Sequence, residues 1–126
     1  FSIKLDTNGT NPKFLEKYLE KFDYIAMDFK TLYYEKYLKC SEKNILESLN
    51  VLKNGKTPYE IRITMYPSYI NEEDFVEIAE TLKGVKKVFI QQYKVVEGAS
   101  EKVYSRDVLE KFKKILELKG ISGEIR

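Results

Sequence analysis

Four times along the chain, a short apolar stretch runs into polar residues and is followed by a segment with helical spacing of its apolar side chains. This alternation constrains the fold more than any other feature. Tyr24-Ile25-Ala26-Met27 is the clearest case: a continuous apolar run, as expected of a strand buried on both faces, ending in Asp28-Phe29-Lys30. The first case is Phe1 to Leu5, an extended run that delivers Asp6, Thr7, Asn8, Gly9 and Thr10 in succession. Asn11-Pro12 then reads as an N-cap followed by proline at the first helical position. Phe14, Leu15, Tyr18, Leu19 and Phe22 predict a helix over about 12–21.

The Tyr-rich segment of Leu32, Tyr33, Tyr34 and Tyr37 is a loop or a short helix. Ile45, Leu46, Leu49 and Leu52 mark a second helix, with Asn54-Gly55 as its C-cap pair. Pro58 opens a strand over Tyr59–Met65 in which Glu60, Arg62 and Thr64 share one face, and Pro67 stops it. Asn71 is predicted to cap a third helix. Its first turn carries Glu72, Glu73 and Asp74 at the positive end of the dipole, and its buried face is Phe75, Val76, Ile78, Ala79 and Leu82. Lys83-Gly84 ends it. Val88-Phe89-Ile90 is a further strand, ending in Gln91-Gln92-Tyr93. A loop containing Gly98 leads to Ser105, the cap of a fourth helix built on Val108, Leu109, Phe112, Ile115 and Leu116 and closed by Gly120. Residues 121–126 make a last short strand.

Four β-α units and a final strand mean a parallel α/β sheet with right-handed crossovers. Three architectures satisfy the pattern: half of an eight-fold barrel, an open partial barrel, or a small doubly wound sheet. The 126 residues suffice for a single domain. There is no GxGxxG and no Walker sequence, so the dinucleotide and P-loop readings have no support. A net charge of +2 with interleaved Lys and Glu gives no footprint for nucleic acid. No apolar run approaches the ~20 residues of a membrane span. One cysteine makes no intrachain disulfide, in keeping with a cytoplasmic compartment, and the Lys, Glu and Ile content hints at a thermophile. Histidine is absent, which removes the commonest general base and zinc ligand.

Parallel α/β folds bind ligands at the carboxyl ends of their strands. The residues placed there are Asp6, Thr7 and Asn8, Asp28 and Lys30, Arg62 and Thr64, and Gln91 and Gln92. The set suits a zwitterionic ligand with hydroxyls: cations for a carboxylate, Asp for an ammonium or a ribose diol, amides for a base edge. A structural reading has equal standing. In it Asp28 pairs with Lys30, Glu60 and Arg62 belong to a supporting network, and Asp6 and Asn8 cap the turn before Asn11. For the tyrosines at 33–37, packing over a helix end is the favoured role, and for Cys40 an inert thiol.

Taken in order, Leu5-Asp6-Thr7-Asn8-Gly9, Asp23-Tyr24-Ile25-Ala26-Met27-Asp28-Phe29-Lys30, Tyr59-Glu60-Ile61-Arg62-Ile63-Thr64 and Ile90-Gln91-Gln92-Tyr93 resemble the carboxyl-terminal part of a radical S-adenosylmethionine enzyme. Glu35-Lys36-Tyr37 and Asn44-Ile45-Leu46-Glu47-Ser48 fill the intervals in the expected way. The nearest pattern is that of the activating proteins of anaerobic ribonucleoside-triphosphate reductases, with pyruvate formate-lyase activating enzymes as cousins. The resemblance implies the later strands of a partial (β/α)6 barrel. It implies a 4Fe–4S cluster that reduces S-adenosylmethionine to a 5′-deoxyadenosyl radical, which takes hydrogen from a glycine of a partner glycyl-radical enzyme. By the same carry-over, Asp6 and Thr7 lie beside the methionine carboxylate and amine. Lys30 contacts the carboxylate or ribose, Arg62 faces the methionine end, and Gln91, Gln92 and Tyr93 lie near the adenine or the barrel mouth. Asp6, Thr7 and Asp28 would hold a monovalent cation.

The cluster needs three cysteines at CxxxCxxC spacing, and the chain has only Cys40. The Gly-Gly-Glu segment that meets the methionine amine in the family is also missing. The expectation is therefore a fragment, inactive alone and binding no cofactor by itself. The start at Phe1 and the immediate entry into a strand with an open edge point the same way. A half-barrel with uncovered apolar surface is expected to associate with itself. A non-catalytic α/β binding or assembly module remains the alternative.

Overall fold

The computed structural model describes residues 2–95 and 102–126. Five strands, β1 (Lys4–Thr7), β2 (Tyr24–Asp28), β3 (Tyr59–Met65), β4 (Lys87–Gln92) and β5 (Ser122–Ile125), alternate with α1 (Pro12–Tyr18), α2 (Tyr34–Tyr37), α3 (Glu42–Asn54), α4 (Phe75–Thr81) and α5 (Arg106–Leu118). The start of the predicted first run, Phe1, and the Gly98 loop lie outside the described residues. No helix among the described residues is long and apolar enough to cross a membrane.

All the strand pairings are parallel, and the sheet order β1-β2-β3-β4-β5 follows the chain. This order excludes the doubly wound alternative, which needs the strand order to reverse. Each crossover advances by one strand in the same direction, so right-handed connections put every helix on the same face. The core agrees: Ile25, Met27, Ile61, Ile63, Met65, Val88 and Ile90 join Leu15, Leu49, Ile78, Phe112 and Leu116 in one buried cluster. The alternate strand residues point the other way. On this helix-free face stand Lys4 and Asp6, Tyr24 and Asp28, Glu60, Arg62 and Thr64, Phe89 and Gln91, and Glu124. β1 and β5 each pair with one neighbour, so the sheet does not close.

Local signals explain the element ends. Asn11 accepts from Phe14 N, Ser41 from Asn44 N and Ser105 from Val108 N, three side-chain N-caps. Gly9 adopts φ 76°, and its carbonyl accepts from the buried Ser48 hydroxyl at 2.7 Å, pinning the end of β1 to α3. Three details differ from the sequence expectation. Asn71 makes no side-chain cap, because a 3₁₀ turn over Glu72–Asp74 comes first and α4 begins only at Phe75. Val76, at the edge of the stripe formed by the buried Phe75, Ile78, Ala79 and Leu82, faces outward and is 55% exposed. Gly55 ends α3 in an extended conformation rather than a left-handed one.

The lower part of the helix-free face is closed by side chains. Glu60, 4% exposed, accepts from the Tyr24 hydroxyl at 2.9 Å and faces Arg126 Nη1 at 3.5 Å. The Arg126 guanidinium lies over the Phe89 ring, 3.4 Å from its centroid. Burial, then the Glu60 hydrogen bond and charge, push the Tyr24 phenol up to about 12.

Candidate functional site

The upper part of the same face is open. Register places Asp6 beside Ala26 and Asp28 beside Arg62, so two carboxylates flank one guanidinium at the strand ends. Arg62 Nε lies 3.1 Å from Asp28 Oδ1, and its Nη2 lies 3.6 Å from Asp6 Oδ1. Lys4 approaches the same Asp6 oxygen at 3.9 Å. The Arg62 side chain is 17% exposed against 63% for Asp6. Asp28 is thus the firmer partner, and Asp6 is held loosely at the rim. The expected Asp28–Lys30 pair does not form. Lys30 lies just past the end of β2, and its ammonium makes no ion pair among the described residues.

A cleft of about 440 Å³ opens beside Arg62. Asp28, Lys30, Thr64 and Gln91 supply its polar wall, and Tyr66, Tyr69 and Tyr93 its aromatic one. Thr64 Oγ1 and Gln91 Oε1 are 3.3 Å apart across the β3–β4 register. The Tyr66 and Tyr93 rings sit 4.6 Å apart, centroid to centroid. Behind Lys30, the buried Tyr34 hydroxyl accepts from the Lys30 backbone N–H at 2.8 Å, which fixes the chain where it leaves β2. Burial raises the Tyr34 phenol to about 12, against the opposing effect of that N–H.

The structure brings together Asp6, Asp28, Arg62, Lys30, Thr64 and Gln91. It separates the rest. Thr7 follows Asp6 on the strand and faces the helix layer, where its hydroxyl accepts from Gly9 N at 3.1 Å. Asn8 is engaged within its own turn, accepting from both the backbone and the hydroxyl of Thr10. Gln92 turns to the helix side and donates to the Tyr104 carbonyl at 2.6 Å, while its own Oε1 is buried with no partner among the described residues. The cleft tyrosines Tyr66 and Tyr69 were absent from the sequence-derived set. The signal for them was their position, immediately beyond the end of β3 and around Pro67.

The donor set can take a ligand carboxylate on Arg62 or Lys30, an ammonium or diol on Asp28, and a flat ring against Tyr66 and Tyr93. These are the groups of S-adenosylmethionine, so the residues fit its methionine and nucleoside ends. They do not fit the cluster: Cys40 is the one thiol, half-buried and directed at the Leu38 carbonyl. No group of three or more metal-ligating side chains of the acidic, cysteine or histidine kinds occurs among the described residues. The two carboxylates that the resemblance assigns to a monovalent cation are here both turned to Arg62.

No family model matches the chain. It is 34% identical over 111 residues to a protein of Methanocaldococcus jannaschii that carries the provisional name glycyl-radical enzyme activating enzyme, covering 80% of this chain and 46% of that protein. The chain therefore spans about half the length of this curated relative. Its fold is that of a domain of the pyruvate-formate lyase-activating enzyme from Bacteroides vulgatus, with a TM-score of 0.79 at 15% identity over 98% of this chain and 81% of that one. A radical SAM methyltransferase from Sphaerobacter thermophilus has the same arrangement, with a TM-score of 0.70 at 15% identity over 98% of this chain and 40% of that one.

Proposed function

We propose that the chain is the later-strand portion of a radical S-adenosylmethionine activating enzyme, and that its cleft receives the cofactor. The observation that carries the reading is Arg62, held by Asp28 and Asp6 on a helix-free sheet face and flanked by Lys30 and a tyrosine wall. Arg62 and Lys30 take the methionine carboxylate, Asp28 the ammonium or the ribose diol, and Gln91 with Thr64 the nucleoside. Asp6 orients Arg62 from the rim. Thr7, Asn8 and Gln92 support this layer through the turn after β1 and the end of β4 rather than through side-chain contact. A monovalent cation at Asp6, Thr7 and Asp28 would have to displace Arg62 from the carboxylates.

In such an enzyme a cluster held by other residues would supply the electron for cleaving the cofactor, and the residues here would hold the cofactor's methionine and nucleoside ends. The reading requires the cluster's three thiolates to lie outside these 126 residues. The name carried by the Methanocaldococcus relative supports a glycyl-radical enzyme as the partner. The ordered residue pattern favours one of the anaerobic ribonucleotide reductase kind, in the cytoplasm.

The test is the protein made from its complete reading frame, reconstituted anaerobically with iron and sulfide. With a low-potential reductant and S-adenosylmethionine it should release 5′-deoxyadenosine, and Arg62→Met and Asp28→Asn should abolish that release. A protein that takes up no iron, or releases none of this product, supports the non-catalytic module instead.

A further inference from the structure

The tyrosines of the cleft do not end at its wall. Tyr93 and Tyr66 are 4.6 Å apart between ring centroids, Tyr66 and Tyr69 4.8 Å, Tyr69 and Tyr37 5.4 Å, and Tyr37 and Tyr33 6.1 Å. The series begins on the cleft and ends on Tyr33, which is 36% exposed. The Tyr33 hydroxyl donates to Asp74 Oδ1 at 2.9 Å. Asp74 is only 9% exposed, and its second oxygen, buried, has no partner among the described residues.

We propose that Tyr93, Tyr66, Tyr69, Tyr37 and Tyr33 form a relay that carries an oxidising equivalent out of the cleft and leaves it on Tyr33 as a phenoxyl radical, its proton passed to Asp74. The use of the relay rests on the reading above, in which a carbon-centred radical is formed at the cleft. Such a radical, finding no substrate, takes the hydroxyl hydrogen of a cleft tyrosine. The O–H bond breaks, a C–H bond forms, and a phenoxyl remains. One electron then moves from Tyr33 along the rings to that phenoxyl, which takes up a proton from solvent in the open cleft. The Tyr33 proton moves to Asp74 Oδ1. Atoms and charge balance, and the oxidising equivalent ends at the surface, where an external thiol can reduce it.

The direction follows from the surroundings. An aromatic alcohol loses an electron most easily where its proton has an acceptor, and Tyr33 has a carboxylate at hydrogen-bond distance. Tyr37 has the Lys36 ammonium over its ring, 5.2 Å from the centroid, which disfavours a positive ring. The equivalent passes Tyr37 and rests on Tyr33.

The relay can be tested on this chain with a ruthenium photosensitiser attached at the cleft through Thr64→Cys in a Cys40→Ser background. Flash oxidation followed by rapid freezing should give a phenoxyl electron paramagnetic resonance signal. Tyr33→Phe should abolish that signal's hyperfine pattern. Tyr37→Phe should strand the radical on the cleft side with a different pattern, and Asp74→Asn should shorten its lifetime. Circular dichroism confirms that each variant folds. One spectrum and one decay shared by the parent, Tyr33→Phe and Tyr37→Phe would overturn the relay. The measurement needs neither cofactor nor cluster, so it fails separately from the proposed function, which falls if the complete protein releases no 5′-deoxyadenosine.

Discussion

Removing the Tyr34 hydroxyl should make the protein less stable near neutral pH and narrow its deficit in strong alkali. Tyr34 is 3% exposed, packs edge-on to Phe29 at 5.9 Å, and accepts the Lys30 N–H. Burial is the main reason its phenol is raised from 10.0 to about 12, with Asp28 and Cys40 adding to the effect. The fold therefore favours the neutral phenol. That preference is fully present below the unfolded value near 10 and is lost as pH rises through the folded value near 12. Two pH units at about 1.4 kcal/mol each give a loss of roughly 2.5–3 kcal/mol across the window, about half of it by pH ~11. Tyr34→Phe leaves the Lys30 N–H without its acceptor, a cost of about 1–3 kcal/mol near neutral pH, but removes the titration. Urea unfolding followed by far-ultraviolet circular dichroism, at about pH 8 and about pH 11, gives the difference between the two proteins. Tyr24, also raised to about 12, titrates in both and cancels. The gap should shrink by about 1 kcal/mol or more between these conditions. A gap that stays constant or widens would refute the argument from burial.

Gly9→Ala should destabilise by about 2–4 kcal/mol in the same assay: the new Cβ would lie 2.2 Å from the buried Met27 Cε, at a left-handed φ of 76°. Glu60→Gln should lower the Tyr24 titration, read as tyrosinate absorbance, while leaving it above the ordinary value, because burial outranks Glu60 among its causes. The chain alone should associate with itself, since β1 has a free edge and Ile3, Phe14 and Tyr18 are 47%, 40% and 37% exposed. Sedimentation equilibrium should give a mass that rises with concentration, and Phe14→Glu with Tyr18→Lys should return it to the monomer. A parent that is monomeric throughout would contradict this.

The strands were legible because their signals are local. The apolar run of Tyr24–Met27 and the alternation of Tyr59–Met65 each occupy the strand that their pattern specifies. Sheet order was not legible. Nothing within a strand distinguishes β1-β2-β3-β4-β5 from a reversing order, because the choice is made by which edge the next crossover reaches. For the candidate site, parity and register decide which strand-end residues meet: Asp6 and Asp28 reach Arg62, and their sequence neighbours do not. Asp6 and Thr7, and Gln91 and Gln92, are adjacent in strands of period two and therefore diverge. Parity alone would have separated them. The Asp28–Arg62 pair depends on register between β2 and β3, a tertiary quantity. Asp28 and Lys30 looked like partners only because they are close in sequence. Val76 shows the limit of periodicity: Phe75, Ile78, Ala79 and Leu82 are buried as their spacing specifies, while Val76, one position off that stripe, is turned to solvent.

The most direct test of the account is the affinity of the anaerobically reconstituted complete protein for S-adenosylmethionine, measured by calorimetry for the parent, Arg62→Met, Asp28→Asn and Lys56→Met. Lys56 lies at the opposite end of the strands, just before β3. A charge-assisted hydrogen bond contributes about 1.5–3 kcal/mol, so Arg62→Met and Asp28→Asn should each weaken binding about 10- to 100-fold, and Lys56→Met should leave it unchanged. Equal affinity in all four proteins would contradict the assignment of the helix-free face as the cofactor surface.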